Sequence, residues 1–154
     1  MIESFLALSI DLTGFTRFAL QSTGLSEDYL NAAQKAVGTA IVDELLTRYQ
    51  SIPATPADLR SHEIQRQILG DEKFGPVARN IMKMWYIGIW EALPLSWVER
   101  YGALTDNAGF MVSAMAYREG LLWLAIGANP PGAKAPGYGS WALPPKYWEP
   151  PALP

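Results

Sequence analysis

The stretch of residues 75–89 reads Gly-Pro-Val-Ala-Arg-Asn-Ile-Met-Lys-Met-Trp-Tyr-Ile-Gly-Ile. Its apolar side chains recur every three or four residues and cover more than one helix face, which is typical of a buried helix. Trp85, Tyr86 and Trp90 cannot all point in one direction on a helix, so at least one ring should reach a second surface. The pattern therefore predicts a central core helix that ends at Pro94, with Gly88 permitting close packing.

Two further apolar patterns precede the central helix. Phe5, Leu6, Leu8 and Leu12 predict a short amphipathic first helix, which Ser4 would cap and Thr13-Gly14 would end. A second helix is expected to begin at Ser26, where two acidic residues follow at once. It should continue unbroken through an apolar stripe made of Leu30, Ala33, Val37, Ile41, Leu45 and Tyr49.

The remaining segments predict shorter elements. Thr55-Pro56 can open a polar, solvent-facing helix that includes Arg60 and Glu63. Residues 96–101 and 108–119 suit one or two short helices, although Phe110 and Val112 would also suit a strand. The predicted fold class is all-α: a small helical bundle formed by residues 1–126, with residues 127–154 as an extended C-terminal arm of the same single domain.

The C-terminal arm is rich in proline, glycine and aromatic residues. Repeated proline and glycine from residue 127 onward forbid both a helix and a central strand. Disordered linkers are poor in aromatic residues, yet this arm carries Tyr138, Trp141, Tyr147 and Trp148. Either the arm folds back over its own helices, or it wraps around a partner, for which proline stiffness lowers the entropy lost on docking.

Composition narrows the possible functions. The chain has 154 residues, of which 49% are hydrophobic, so one core and one domain are expected. The formal charge of −3 comes without any run of basic residues, which disfavours nucleic-acid binding. The absence of cysteine removes disulfides, thiolate metal sites and thiol nucleophiles. The apolar stretches are too short for a membrane helix, and no export signal is visible at the N-terminus.

Residues with catalytic potential are scattered. The single histidine, His62, lies on the polar helix with Asp58 four residues before it, which indicates a surface position. The glycine-rich stretch that begins at Gly132 lacks the strand, the helix and the Gly-Lys-Ser/Thr ending of a phosphate loop. Seven carboxylates could converge in space, but none shows a paired spacing: Asp11, Asp43, Glu44, Glu91, Glu99, Asp106 and Glu119. We therefore predict no catalytic, cofactor-binding or metal-binding residue in this chain.

Two segments resemble a known family. Residues 5–14 read Phe-Leu-Ala-Leu-Ser-Ile-Asp-Leu-Thr-Gly, and residues 81–89 read Ile-Met-Lys-Met-Trp-Tyr-Ile-Gly-Ile. Both are similar to motifs of the small subunit of membrane-associated, FAD-dependent sugar and polyol dehydrogenases, the sorbitol dehydrogenase type. Ala116-Tyr117 and Tyr138-Gly-Ser-Trp141 more loosely resemble elements of the family's arm, which lies against the large subunit.

The resemblance implies a non-catalytic subunit. FAD and catalysis would belong to a separate large subunit, in a complex that can include a cytochrome c subunit, and this chain would assist the large subunit's folding, stability and export. The location would be periplasmic, with membrane association through the complex. Family members typically carry a twin-arginine export signal, and some link their subunits by a disulfide, whereas this sequence shows neither feature. The expected partner-binding residues are Trp85, Tyr86, Tyr117, Tyr138, Trp141, Tyr147 and Trp148.

Two other functions remain open at this point. The chain could be a free-standing helical enzyme or ligand carrier that uses buried carboxylates around the central helix, such as Asp11 and Glu91. It could also be a homo-oligomeric structural protein whose arm swaps between identical subunits.

Overall fold

A computed structural model describes residues 1–54, 56–103 and 106–130. Within these ranges the all-α prediction is confirmed, and no helix is both long and apolar enough to cross a bilayer. The helices are α1 (Ile2–Thr13), α2 (Arg17–Ser22), α3 (Ser26–Val37), α4 (Thr39–Gln50), α5 (Ala57–Ile64), α6 (Phe74–Ile87), α7 (Leu95–Tyr101), α8 (Ala114–Arg118) and α9 (Leu121–Ala125). A π-helical turn spans Gln65–Leu69, and the strands β1 (Ile89–Trp90) and β2 (Phe110–Met111) form an antiparallel pair.

Helix α6 lies at the centre of the bundle, as its apolar pattern predicts. It packs against α1, α3, the π turn, α8 and α9. Ile81 and Met84 are fully buried, and Trp85 is 1% exposed. The Trp85 ring lies 6.5 Å from Phe5 of α1 and 4.7 Å, edge to face, from Tyr29 of α3, so one side chain joins three helices.

The predicted long helix is two helices, because the chain turns at Gly38. This residue has φ 91° and ψ 147°, outside the range that a helix allows, and a glycine tolerates it without a Cβ clash. The prediction of one continuous helix is therefore wrong. The apolar stripe is nevertheless correct, because Leu30, Ala33, Val37, Ile41, Leu45 and Tyr49 are all buried.

Several predicted helix boundaries also change. Helix α1 begins after Met1 rather than at Ser4, whose hydroxyl accepts a hydrogen bond from Gln50 at 2.6 Å instead of capping a helix. Helix α6 ends at Gly88, which has φ 74°, and not at Pro94. A left-handed glycine ends a helix as effectively as a proline, because its N–H still bonds back to the last turn.

Two asparagines hold the chain that follows α6. The Asn80 side chain bonds both the N–H and the C=O of Glu91, at 2.8 and 3.0 Å. Asn107 makes the same two bonds to Leu93, at 2.8 and 2.9 Å. These side-chain amides bond the backbone in the way that a neighbouring strand would, so the segment stays extended. Its Trp90 and Leu93 side chains lie in the core, where they are 2% and 4% exposed.

The polar helix α5 is present, but the segment is less solvent-facing than predicted. Its last residue, Ile64, is 5% exposed, and Ile68 in the π turn is fully buried. The backbone N–H of Gly70 bonds to the C=O of Gln65 at 2.8 Å, the i to i+5 spacing of a π turn. Apolar side chains therefore anchor the carboxyl end of this segment to the core.

Replacement of Gly88 by alanine should destabilise the protein by about 3 kcal/mol, because a left-handed conformation and a steric clash add together. A Cβ there would lie 2.7 Å from the carbonyl carbon of Ala116. The matched control is Gly14→Ala, which has φ 76° but no described atom within 4 Å of the new Cβ, and which should cost about 1 kcal/mol. Urea unfolding of both variants measures the difference, and equal losses would contradict the close α6–α8 contact.

Candidate partner interface

The carboxyl end of α6 is covered by the α8–α9 region, and glycines make the approach possible. A Cβ on Gly120 would lie 2.7 Å from the carbonyl oxygen of Tyr86, just as one on Gly88 would collide with Ala116. Only residues without a side chain allow backbones to come so close. The resemblance motif at residues 81–89 therefore ends against the segment that carries Tyr117.

Tyr86 is the ring of the central motif that reaches a second surface. It is half-buried, whereas Trp85 and Trp90 are buried. Its hydroxyl donates a hydrogen bond to the carbonyl oxygen of Thr13 at 3.0 Å, and its ring meets Phe15 edge to face at 5.8 Å. Tyr86 thus joins the end of α6 to the end of α1.

Tyr117 forms a second aromatic pair at this end of the molecule. Its ring lies 5.5 Å from that of Trp123, edge to face, and the Trp123 indole N–H donates to the Tyr117 carbonyl oxygen at 2.8 Å. All four rings of the two pairs are half-buried. We refer to Phe15, Tyr86, Tyr117 and Trp123 together as the aromatic end.

A surface groove of about 230 Å³ lies between α2 and the α8–α9 region. Ala19 and Thr23 line one side, Leu121 and Leu124 line the other, and the described chain ends in the groove at Pro130. Phe18, which precedes Ala19 on α2, is 81% exposed, and Leu124 is 44% exposed. Large apolar side chains exposed beside a groove are typical of protein-binding surfaces.

The predicted partner-binding residues fall into three groups. The structure places Tyr86 and Tyr117 at the aromatic end. It places Trp85 in the core with 1% exposure, so its ring supports the fold and offers almost no surface to another protein. Tyr138, Trp141, Tyr147 and Trp148 lie outside the described residues.

Sequence reasoning missed part of this site. Phe15 follows the glycine that ends α1, and Phe18 lies two residues after Thr16, whose hydroxyl caps α2 by accepting a hydrogen bond from the Ala19 N–H at 3.2 Å. That Thr16 cap was a readable helix signal. Trp123 lies within the apolar run Leu-Leu-Trp-Leu-Ala, which predicts a core position, and only the tertiary structure shows that its ring remains partly exposed.

Asp11 and Glu91, the carboxylates that a free-standing enzyme was expected to use, line different clefts. Asp11 accepts hydrogen bonds from Arg60 at 2.9 Å and from the Tyr49 hydroxyl at 2.8 Å. Glu91 pairs with Lys83 in another cleft, where the Glu91 side chain is 53% exposed. In the described ranges, no three His, Asp or Glu side chains are arranged to hold a metal ion. The structure therefore does not bring Asp11 and Glu91 together as a catalytic pair.

Comparison of the chain with protein-family models, with curated proteins and with solved structures finds no match. Its function is therefore inferred from its own residues, from their arrangement, and from the resemblance of the two motifs.

Replacement of Tyr49 by phenylalanine should reduce the loss of stability at alkaline pH. The pKa of Tyr49 is raised to about 12 from its usual value of 10.0. Burial of the hydroxyl is the larger cause, and the hydrogen bond to Asp11 is the next. A raised folded-state pKa favours the protonated hydroxyl, so its contribution is complete below pH 10 and is lost as the pH rises toward 12.

Between about pH 9.5 and 11.5 the wild type should therefore lose about 1–2 kcal/mol more than the Tyr49→Phe variant. Urea unfolding across this range measures the two losses. Parallel stability curves would show that Tyr49 titrates normally and that its contact with Asp11 is not maintained in solution.

Proposed function

We propose that this chain is the non-catalytic small subunit of an FAD-dependent sugar or polyol dehydrogenase. It binds and stabilises the FAD-containing catalytic subunit and assists that subunit's folding or export. The observation that carries the proposal is the contact between the two sequence motifs on which the resemblance rests.

The two motifs pack against each other although about seventy residues separate them along the chain. Phe5 of the first motif lies 6.5 Å from Trp85 of the second, and the Tyr86 hydroxyl bonds to the Thr13 carbonyl oxygen at 3.0 Å. Each motif also contains a glycine with φ near 75° that terminates its helix: Gly14 is the last residue of the first motif and Gly88 the last but one of the second. The two motifs therefore form one packed unit in the core of the bundle.

The composition of the surface beside this unit suits a protein partner. The aromatic end presents half-buried Tyr and Trp rings, and Met111 and Met115 are 49% and 45% exposed nearby on β2 and α8. Aromatic residues and methionine are enriched at interfaces, because they provide large contact area and adapt to a partner's shape. Residues 128–130, the last ones that the structure describes, line the adjoining groove. We therefore expect the arm that follows them to engage the same partner as the aromatic end.

The remaining parts of the proposal follow from the resemblance. FAD would be held by the large subunit, and a cytochrome c subunit would be a further member of the complex. The assembly would be periplasmic and associated with the membrane through the other subunits. No group in this chain is assigned a catalytic role.

A pull-down tests the proposal. The tagged chain is expressed with and without the product of its genomic neighbour, and the absorption spectrum of the eluate is recorded. A flavin spectrum together with a larger polypeptide is the expected result. A colourless chain that recruits nothing would contradict the proposal. A chain whose mass rises with its own concentration would favour the homo-oligomeric alternative.

Replacement of Tyr117, Trp141 or Trp148 by alanine should weaken the isolated complex by about 2 kcal/mol or more each, since truncated aromatic anchors usually cost that much. This corresponds to a roughly thirtyfold rise in Kd. Leu95→Ala is the matched control, because Leu95 is 76% exposed but lies on α7, which is bonded through Trp97 to Lys73 at the amino end of α6. It should change the affinity by less than about 0.5 kcal/mol.

Calorimetric titration of the two subunits measures these affinities. If all three aromatic variants bind as tightly as the Leu95→Ala control, the arm and the aromatic end are not the anchors.

A further inference from the structure

We propose that α5 is a latched element, which Arg60 holds closed against α1 and α4 and which opens about its anchored carboxyl end when Arg60 is released. The latch is independent of the partner proposed above. It rests on the contacts of a single side chain and on the irregular backbone at both ends of the helix.

Arg60 connects α5 to three other parts of the chain at once. Its Nε donates to Asp11 of α1 at 2.9 Å, and its guanidinium lies 4.8 Å from the ring centre of Tyr49 on α4. Its Nη1 donates to the backbone carbonyl oxygens of Ile52 and Pro53, at 2.9 and 3.1 Å. The Arg60 side chain is only 17% exposed, so water competes weakly for these donors.

The charged contacts described for Glu63 stay within the segment. Glu63 accepts hydrogen bonds from Arg66 at 2.7 Å and from Gln67 at 2.6 Å, both in the following π turn. Leu59 is 59% exposed, and His62 is also exposed, so neither binds α5 to the core. Apolar anchoring is concentrated at the carboxyl end, where Ile64 is 5% exposed. Arg60 is therefore a major side-chain link between the amino-terminal turns of α5 and the helices α1 and α4.

The backbone at each end of α5 can act as a hinge. Before the helix, Pro56 occupies the cap position with extended dihedral angles, φ −69° and ψ 156°, and makes no side-chain cap. After the helix, the π turn Gln65–Leu69 interrupts the regular hydrogen-bond ladder before Gly70. A short helix between two irregular joints can open without disturbing α6.

Opening would widen an existing cleft. Asp11, Leu12, Asp58, His62 and Leu69 are among the residues that line a space of about 400 Å³ beside α5. Release of Arg60 would also uncover the Tyr49 ring, which is 5% exposed in the closed form. The Arg60 contacts thus determine whether this face of the molecule is polar and closed or apolar and open.

Hydrogen exchange of the full chain tests the latch. The Arg60→Met variant keeps the apolar stem and removes every donor, so amides of α5 should exchange at least about tenfold faster, while those of α6 change little. Arg66→Met is the matched control, since Arg66 lies in the same segment but pairs only with Glu63 in the structure described. It should leave the exchange of α5 within about twofold of wild type.

A second variant keeps the test decisive if Arg60→Met folds poorly. Asp11→Asn retains an acceptor oxygen for Arg60 and Tyr49 but loses the charge, so it should accelerate exchange in α5 by a smaller factor, again without effect on α6. Unchanged α5 exchange in the folded variants would overturn the proposal, as would an acceleration shared equally by α5 and α6.

Discussion

The contact of the Trp85 ring with Phe5 and Tyr29 holds the central helix α6 against α1 and α3. It joins α6, α1 and α3 through one fully enclosed ring, and truncation of such a residue typically costs about 3–5 kcal/mol. Because the three rings fix the rotation of α6 about its axis, they also fix the directions in which Tyr86 and Gly88 point. The packing of the core therefore determines which side chains lie on the surface at the carboxyl end of α6.

That surface is built from close backbone approaches. Gly88 admits Ala116, and Gly120 reaches the Tyr86 carbonyl oxygen, so α8 and α9 lie across the end of the central helix. The two aromatic pairs of the aromatic end are attached to this junction, one through α1 and one through α8–α9. A partner that binds there would contact side chains supported directly by the core, which is the rigidity that a stabilising subunit requires.

Apolar periodicity predicted the central helix and the buried stripe, because burial of one helix face is a local property of the sequence. The break at Gly38 escaped detection because Val37 and Ile41 keep the four-residue spacing across it. The sequence predicts the start of α1 at Ser4 and the end of α6 at Pro94, whereas the structure has them at Met1 and Gly88. The two differ because several residues near a helix end can each terminate it.

The site was harder to predict than the fold. Composition predicts that aromatic rings serve an interface, but it does not distinguish Trp85, which is buried, from Trp123, which is partly exposed. That distinction depends on contacts between residues far apart in sequence, such as Tyr86 with Thr13 and Gly120 with Tyr86. The aromatic residues of the arm remain a prediction from the sequence.

Oxidative footprinting of the chain, free and in complex with the proposed flavoprotein subunit, tests whether a catalytic subunit covers the carboxyl end of α6. Binding should protect Met115, Tyr117 and Trp123 severalfold from hydroxyl radicals, whereas exposed Leu95 on α7 should react equally in both states. Protection of Leu95 with unchanged reactivity at Tyr117 and Trp123 would contradict the account, because the partner would then bind the opposite end of the central helix.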